Sequence, residues 1–220
     1  MSVFNDGTGG LVMTNYESLI DQNLNEAFRR SPSELGIRIN ADSNGDLFFF
    51  RAFGEDCCLG RSGITLSGRP AVGPKGLLIS LYALHATKES MRLEPFKAFK
   101  DLPDSMPYRG AFRANSEMIL VPHVGQIKDR VKAVKRVFDA ETNSSQHAGD
   151  LSFILYPLPK IALRYIFYFP DEDFPASAVC LFSTNALSFM PLDGLADVAE
   201  YSSRKILEIS CDESYDSFAS

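Results

Sequence analysis

The sequence predicts an α+β fold: a single domain in which an antiparallel meander or mixed sheet packs against helices. Three observations carry that expectation. Strand-like apolar patterns come in two blocks, residues 35–66 and 151–183, instead of alternating strictly with helical ones. Asn44-Gly45, flanked by Ser43 and Asp46, is a strong hairpin signal inside the first block. No stretch rich in Gly, Ser or Pro divides the 220 residues, and a chain of this length suits one core.

Residues 1–12 are Gly-rich and patternless and read as a disordered lead. The domain is expected over 13–211, with a disordered acidic tail at 212–220. Thr14 and Glu17 have capping-box spacing, and Tyr16, Leu19, Ile20, Leu24, Ala27 and Phe28 then share a helical face. Arg29 and Arg30 suit the helix C-terminus, and Pro32 marks the stop. Leu35, Ile37 and Ile39 alternate with Gly36, Arg38 and Asn40, which predicts a half-buried strand. The return strand Asp46–Phe53 is apolar on both faces at Leu47–Phe50, as a central strand is. Strands at Glu55–Leu59 and Gly63–Leu66 extend the meander.

Pro74 then opens a helix that is apolar on nearly every side through Leu84. Residues 88–126 read as short helices separated by prolines, and Ile127–Ala140 as one helix with a single apolar stripe. A polar loop, Glu141–Asp150, leads to strands Leu151–Tyr156, Ile161–Phe169 and Ala178–Ser183. A last helix, Leu192–Leu207, turns Leu195, Val198, Ala199 and Ile206 inward.

Composition narrows the class of function. Seventeen Phe and eight Tyr with no Trp make a Phe-rich core and argue against disorder. A net charge of −6 repels phosphate backbones, so no nucleic-acid partner is expected. No apolar run approaches a membrane span and the N-terminus lacks a signal-peptide pattern, so a cytoplasmic protein without membrane contact is expected. Four Cys, two of them adjacent, make no disulfide framework and fit a reducing compartment. The Asn143-Ser-Ser145 sequon is then without consequence.

The familiar motifs fail on their mechanics. In Gly68-Arg-Pro-Ala-Val-Gly73-Pro-Lys75, Pro74 removes an amide that would cradle phosphate, and no Ser or Thr follows Lys75. Gly7-Thr-Gly9-Gly10 follows no strand and precedes no helix. Cys57 and Cys58 point to opposite faces of a strand, and His85, His123 and His147 each stand alone. Neither a zinc nor an iron–sulfur site is therefore expected, and no cofactor is assigned. Lys128, Arg130, Lys132, Lys135 and Arg136 give one helix a basic, solvated face.

The most chemical stretch is Asp171-Glu172-Asp173-Phe174-Pro175. Three carboxylates between Pro170 and Pro175 can coordinate a hard cation or supply a general base; a solvated acidic turn explains them as simply. Phe174 is expected to anchor the turn in the core, with Arg164 the nearest cation on the preceding strand.

Pro157-x-Pro159, the aromatic strand after it, Asp171–Ala176 and Leu181-Phe182 resemble a bacterial and archaeal family catalogued as domain of unknown function 3786. Leu81-Tyr82 and the Phe/Leu-rich segment Pro95–Leu102 fit the same resemblance, which spans about residues 16–207. The resemblance implies an Asp where this chain has Ser183, and an upstream Trp that it lacks. It implies no established activity. Some relatives are joined to a Cys-rich iron–sulfur module missing here, which implies a setting in anaerobic one-carbon or redox metabolism. Two functions stay open: a non-catalytic binding or accessory module for a protein or small metabolite, and an enzyme working through Asp171, Glu172 and Asp173 as metal ligands or base.

Overall fold

Helices and two antiparallel sheets alternate in blocks, as the patterning predicts. The computed structural model describes residues 15–140 and 149–211. Expectations for the lead, the Thr14 cap, the sequon, His147 and the acidic tail lie outside the described residues. Helix α1 (Asn15–Ala27) buries Ile20, Leu24 and Ala27, while Tyr16 and Leu19 at the edge of its apolar face stay exposed.

Residues 32–39 depart from expectation: they are not a strand but helix α2 (Pro32–Ile39). Ser31 is its N-cap, its hydroxyl accepting the Glu34 amide at 3.3 Å, and Pro32 opens its first turn. Leu35 and Ile39, four apart, face the core, whereas Ile37, which completes the strand-like alternation, is 57% exposed. Asn40 ends the helix in the left-handed region (φ 52°), and the Ala41 amide returns to the Gly36 carbonyl at 3.1 Å. Pro32 stops one helix by starting the next.

Strands β1 (Asp42–Asn44), β2 (Leu47–Ala52), β3 (Glu55–Gly60), β4 (Gly63–Leu66) and β5 (Arg69–Pro70) form the expected meander in that order. Asn44 pairs with Leu47, so Gly45 and Asp46 make the turn; Gly45 takes the positive φ (+62°), a glycine-first hairpin. The outer face of β2 is open, with Leu47 and Phe49 over 40% exposed, so the run Leu47–Phe50 is not buried on both sides. The Gly68–Lys75 segment holds β5 and then leads into helix α3 (Pro74–His85), and Lys75 is engaged by Glu55 at 2.8 Å.

The second sheet runs β6 (Lys97–Ala98), β9 (Ser177–Phe182), β8 (Ile161–Tyr168), β7 (Leu151–Leu158). Strand β6 was not legible, since two residues carry no period. Between β6 and helix α5 (Val124–Val137) lie short helical pieces: α4 (Arg109–Phe112), a π-turn at Arg113–Glu117 and a 3₁₀ segment at Met118–His123. Helix α5 starts three residues before the expected Ile127 and ends at Val137, and α6 (Leu192–Cys211) runs four residues past the expected Leu207. Among the described residues no helix is long and apolar enough to cross a membrane.

The two sheets meet at the β2–β3 turn. Phe53, buried at φ 52°, donates its amide to the Pro157 carbonyl of β7 at 2.7 Å. A second junction is Lys160 in the β7–β8 turn, only 6% exposed. Its ammonium donates to the carbonyls of Ile37 (3.0 Å), Thr87 (2.9 Å) and Glu89 (3.1 Å) and lies 5.5 Å from the Phe189 ring centre. Arg30 and Arg38 reach the carbonyls of Leu84 and Ala86. Cations from three other segments thus cap the C-terminal end of α3, the place where His85 alone would otherwise suit the exposed carbonyls. Burial instead pushes the His85 imidazole toward its neutral form.

Candidate functional site

The acidic turn departs from expectation at Phe174. Asp171, Glu172 and Asp173 are exposed, and Phe174 is 69% exposed, so it is no core anchor. The turn closes on itself: Asp171 Oδ1 accepts the amides of Asp173 (2.9 Å) and Phe174 (2.7 Å), and the Asp171 amide donates to the Phe174 carbonyl (3.0 Å). Arg164 is buried in mid-strand, paired across from Ile154 and Leu181, with its guanidinium 5.8 Å from the Phe96 ring centre. Among the described residues no group of three His, Cys, Asp or Glu could hold a metal. Phe174→Ala is therefore expected to shift stability by no more than about 0.5 kcal/mol, where a buried ring would cost several times that; chemical-denaturation midpoints decide it.

Cys57 and Cys180 are buried thiols, and burial pushes Cys57 up to about 12 and Cys180 higher still. Cys211 is exposed, with its sulfur 3.7 Å from His123 Nδ1, a contact between residues 88 apart. Iodoacetamide is expected to label Cys211 well before Cys57 or Cys180, as read by peptide mass mapping. Labelling of Cys180 at the same rate would show that β9 opens readily.

One cleft, about 550 Å³ between α2, β2 and the end of α5, has its cation already engaged. Arg51 bonds Asp56 (2.8 Å) and the carbonyls of Gly54 (2.6 Å) and Val137 (3.2 Å), and lies 3.5 Å from Asp139. That arrangement ties the β2–β3 turn to α5.

A second cleft, about 430 Å³, has two of its charged side chains without a hydrogen bond or ion pair among the described residues. It lies between the β6 segment, α4, the π-turn and β9. Phe99 and Phe112 stack with ring centres 4.2 Å apart, and both rest on Phe182, which fixes the apolar floor. Ala98 and Val179 complete the apolar lining. Lys100, Arg109 and Arg113, all exposed, put three cationic residues on the same lining. Arg109 is held by Ser105 Oγ (3.2 Å) and the Lys100 carbonyl. The Lys100 ammonium and the Arg113 guanidinium have no hydrogen bond or ion pair among the described residues.

Glu117 is the one carboxylate on the lining. Its Oε1 accepts the Cys180 amide at 3.0 Å, and burial raises its pKa against the opposing pull of that amide and of Arg113. Behind it, Ser203 Oγ donates to the Ser116 carbonyl (2.7 Å) and can then accept from the Tyr165 hydroxyl (2.9 Å). This buried chain fixes the π-turn against β8 and α6. π-Turns often mark functional positions, because the extra residue redirects side chains that a regular helix would stack.

The sign of the Glu117 shift gives a test. A folded-state pKa above the ordinary 4.5 means that the native chain holds the proton more tightly than the unfolded one. Glu117 therefore costs nothing below 4.5 and costs stability as pH rises from there through the raised value. Glu117→Gln is expected to equal or exceed wild-type stability at about pH 7, with the advantage fading toward about pH 4. A variant less stable at neutral pH would show that the ionised carboxylate is net stabilising. Asp197 on α6 shifts in the same direction, so the comparison must be variant against wild type at each pH.

Residues 28–205 match a family model described as domain of unknown function DUF3786. The chain belongs to this family. The match spans α2, both sheets and every residue of the charged cleft, so the cleft is part of the DUF3786 domain; Cys211 lies beyond it. No curated protein and no solved structure matches the chain.

Proposed function

We propose that this DUF3786 protein is a cytosolic, non-catalytic binding module whose ligand is a small organic acid with an apolar body, held in the cleft beside the π-turn. The carrying observation is the set of cationic residues around a stacked aromatic floor, two of which make no hydrogen bond or ion pair among the described residues. Opposite charge draws an anion in, and Phe99, Ala98 and Val179 receive its apolar part. Arg109, already fixed by Ser105, loses little freedom on binding. The family resemblance adds anaerobic one-carbon or redox metabolism as a setting.

The alternative, an enzyme using Asp171, Glu172 and Asp173, has less support, because one Asp171 oxygen is occupied by two backbone amides of its own turn. Thermal-shift titration with 3-phenylpropionate and 4-methylpentanoate tests the proposal. Wild type is expected to be stabilised by one or both, and the double variant Lys100→Gln/Arg113→Gln to lose the effect while melting normally without ligand. Equal stabilisation of the double variant would place the ligand elsewhere.

A further inference from the structure

A single cavity lining here carries both signs of charge with no ion pair between them among the described residues. Arg113 and Glu117 are four residues apart, a spacing at which an α-helix would bring guanidinium and carboxylate together. They are joined by the π-turn instead, and no ion pair forms between them among the described residues. Glu117 is held by the Cys180 amide, and Arg109 by Ser105 and the Lys100 carbonyl, so a carboxylate and a guanidinium of the lining are separately fixed.

We propose that the cleft selects a zwitterion: an α-amino acid with an apolar side chain, or a compound of the same arrangement, its carboxylate toward Lys100, Arg109 and Arg113 and its ammonium toward Glu117. This rests on the organic-acid reading above and narrows it. A simple acid leaves Glu117 with no partner beyond the Cys180 amide and the field of Arg113. A simple amine is repelled by the three cationic residues of the lining. A ligand carrying both charges answers both signs, and specificity follows as much from those two penalties as from the favourable interactions of the matched ligand. The side chain then lies on Ala98, Phe99 and Val179. The ammonium also opposes the burial that raises the Glu117 pKa, acting in the same direction as the Cys180 amide and Arg113.

The test compares matched ligands by calorimetry at neutral pH. L-Phenylalanine is set against 3-phenylpropionate and phenethylamine, and L-leucine against 4-methylpentanoate and isopentylamine, so that two side-chain sizes are covered. In wild type the amino acid of at least one set is expected to bind about ten-fold or more tighter than both its analogues. Glu117→Gln should erase the preference for the amino acid over the acid, while Arg113→Gln should weaken both. Acids that bind wild type as tightly as the amino acids would overturn the zwitterion and leave the organic-acid reading standing. If neither acids nor amino acids bind, both readings fail.

Discussion

Gly76→Ala is expected to be the most damaging single-methyl change in the chain. A Cβ at this position in the first turn of α3 would lie 1.8 Å from the Ala71 carbonyl oxygen, 2.8 Å from its carbon and 3.0 Å from Ile20 Cδ1. Neither neighbour can retreat cheaply. The Ala71 amide is bonded to the Ile64 carbonyl of β4 at 2.9 Å, and Ile20 is buried on α1, which packs against α3. The clash is with backbone, so rotamer changes cannot relieve it, and the helix must shift off both α1 and the sheet. The cost is expected to exceed about 4 kcal/mol, among the largest for a point change. That lowers the melting temperature by roughly 10 °C or more in a domain of this size. Gly73→Ala, three residues earlier, meets nothing within 4 Å and is the control, expected to melt with wild type. A Gly76→Ala protein of normal stability would mean that α3 does not approach Ala71 so closely.

Lys160→Met is expected to be the costliest loss of a polar side chain. The methionine fills most of the lysine's volume, so cavity formation is a minor part of the effect. What disappears is the ammonium that satisfies three carbonyls from α2 and from the segment after α3. Leaving buried acceptors unmade costs about 1–3 kcal/mol each, partly offset because burying the cation was itself unfavourable. Desolvation already pulls the Lys160 pKa below its ordinary value, in line with that offset. A net loss of about 2–4 kcal/mol is expected, read as a lower urea midpoint. Wild type is also expected to gain on Lys160→Met on the alkaline side. A lysine with a lowered folded pKa loses its proton earlier than in the unfolded chain, so stability relative to Lys160→Met rises as pH climbs from the lowered value toward the ordinary 10.5. An unchanged midpoint would show that water satisfies the carbonyls equally well.

Much of the architecture is legible because its elements are long and strongly patterned. Strands β3, β4, β7, β8 and β9 appear within a residue or two of their expected places, since alternation there coincides with real burial. Helix α2 escapes for an identifiable reason: Leu35, Ile37 and Ile39 fit period two, and the Ser31-Pro32-x-Glu34 start signal is hidden when Pro32 reads as a stop. Phe174 fails differently. The prolines bracketing it do indicate a turn, but the closing force is the Asp171 side chain on backbone amides, which leaves the ring outside.

The cleft is invisible in the sequence for a physical reason. Its residues come from 98–100, 109–117 and 179, and Glu117 looks like any surface carboxylate until β9 closes over it. A π-turn has no apolar period to read, and the prolines at 107 and 122 suggest only broken helix. The signal that does exist is the density of Arg and Lys beside Phe99 and Phe112, and nothing in the chain order places them in one cavity.

The most direct measurement is an amide chemical-shift titration of isotopically labelled protein with L-phenylalanine and 3-phenylpropionate. Cys180 is the reporter, because its amide is held by the carboxylate that faces the ligand. The account predicts saturable shifts at Cys180, Val179, Arg113 and Glu117, with the amides of Asp173 and Phe174 unmoved. Shifts concentrated at Asp173 and Phe174, with Cys180 silent, would contradict it and return the acidic turn as the site.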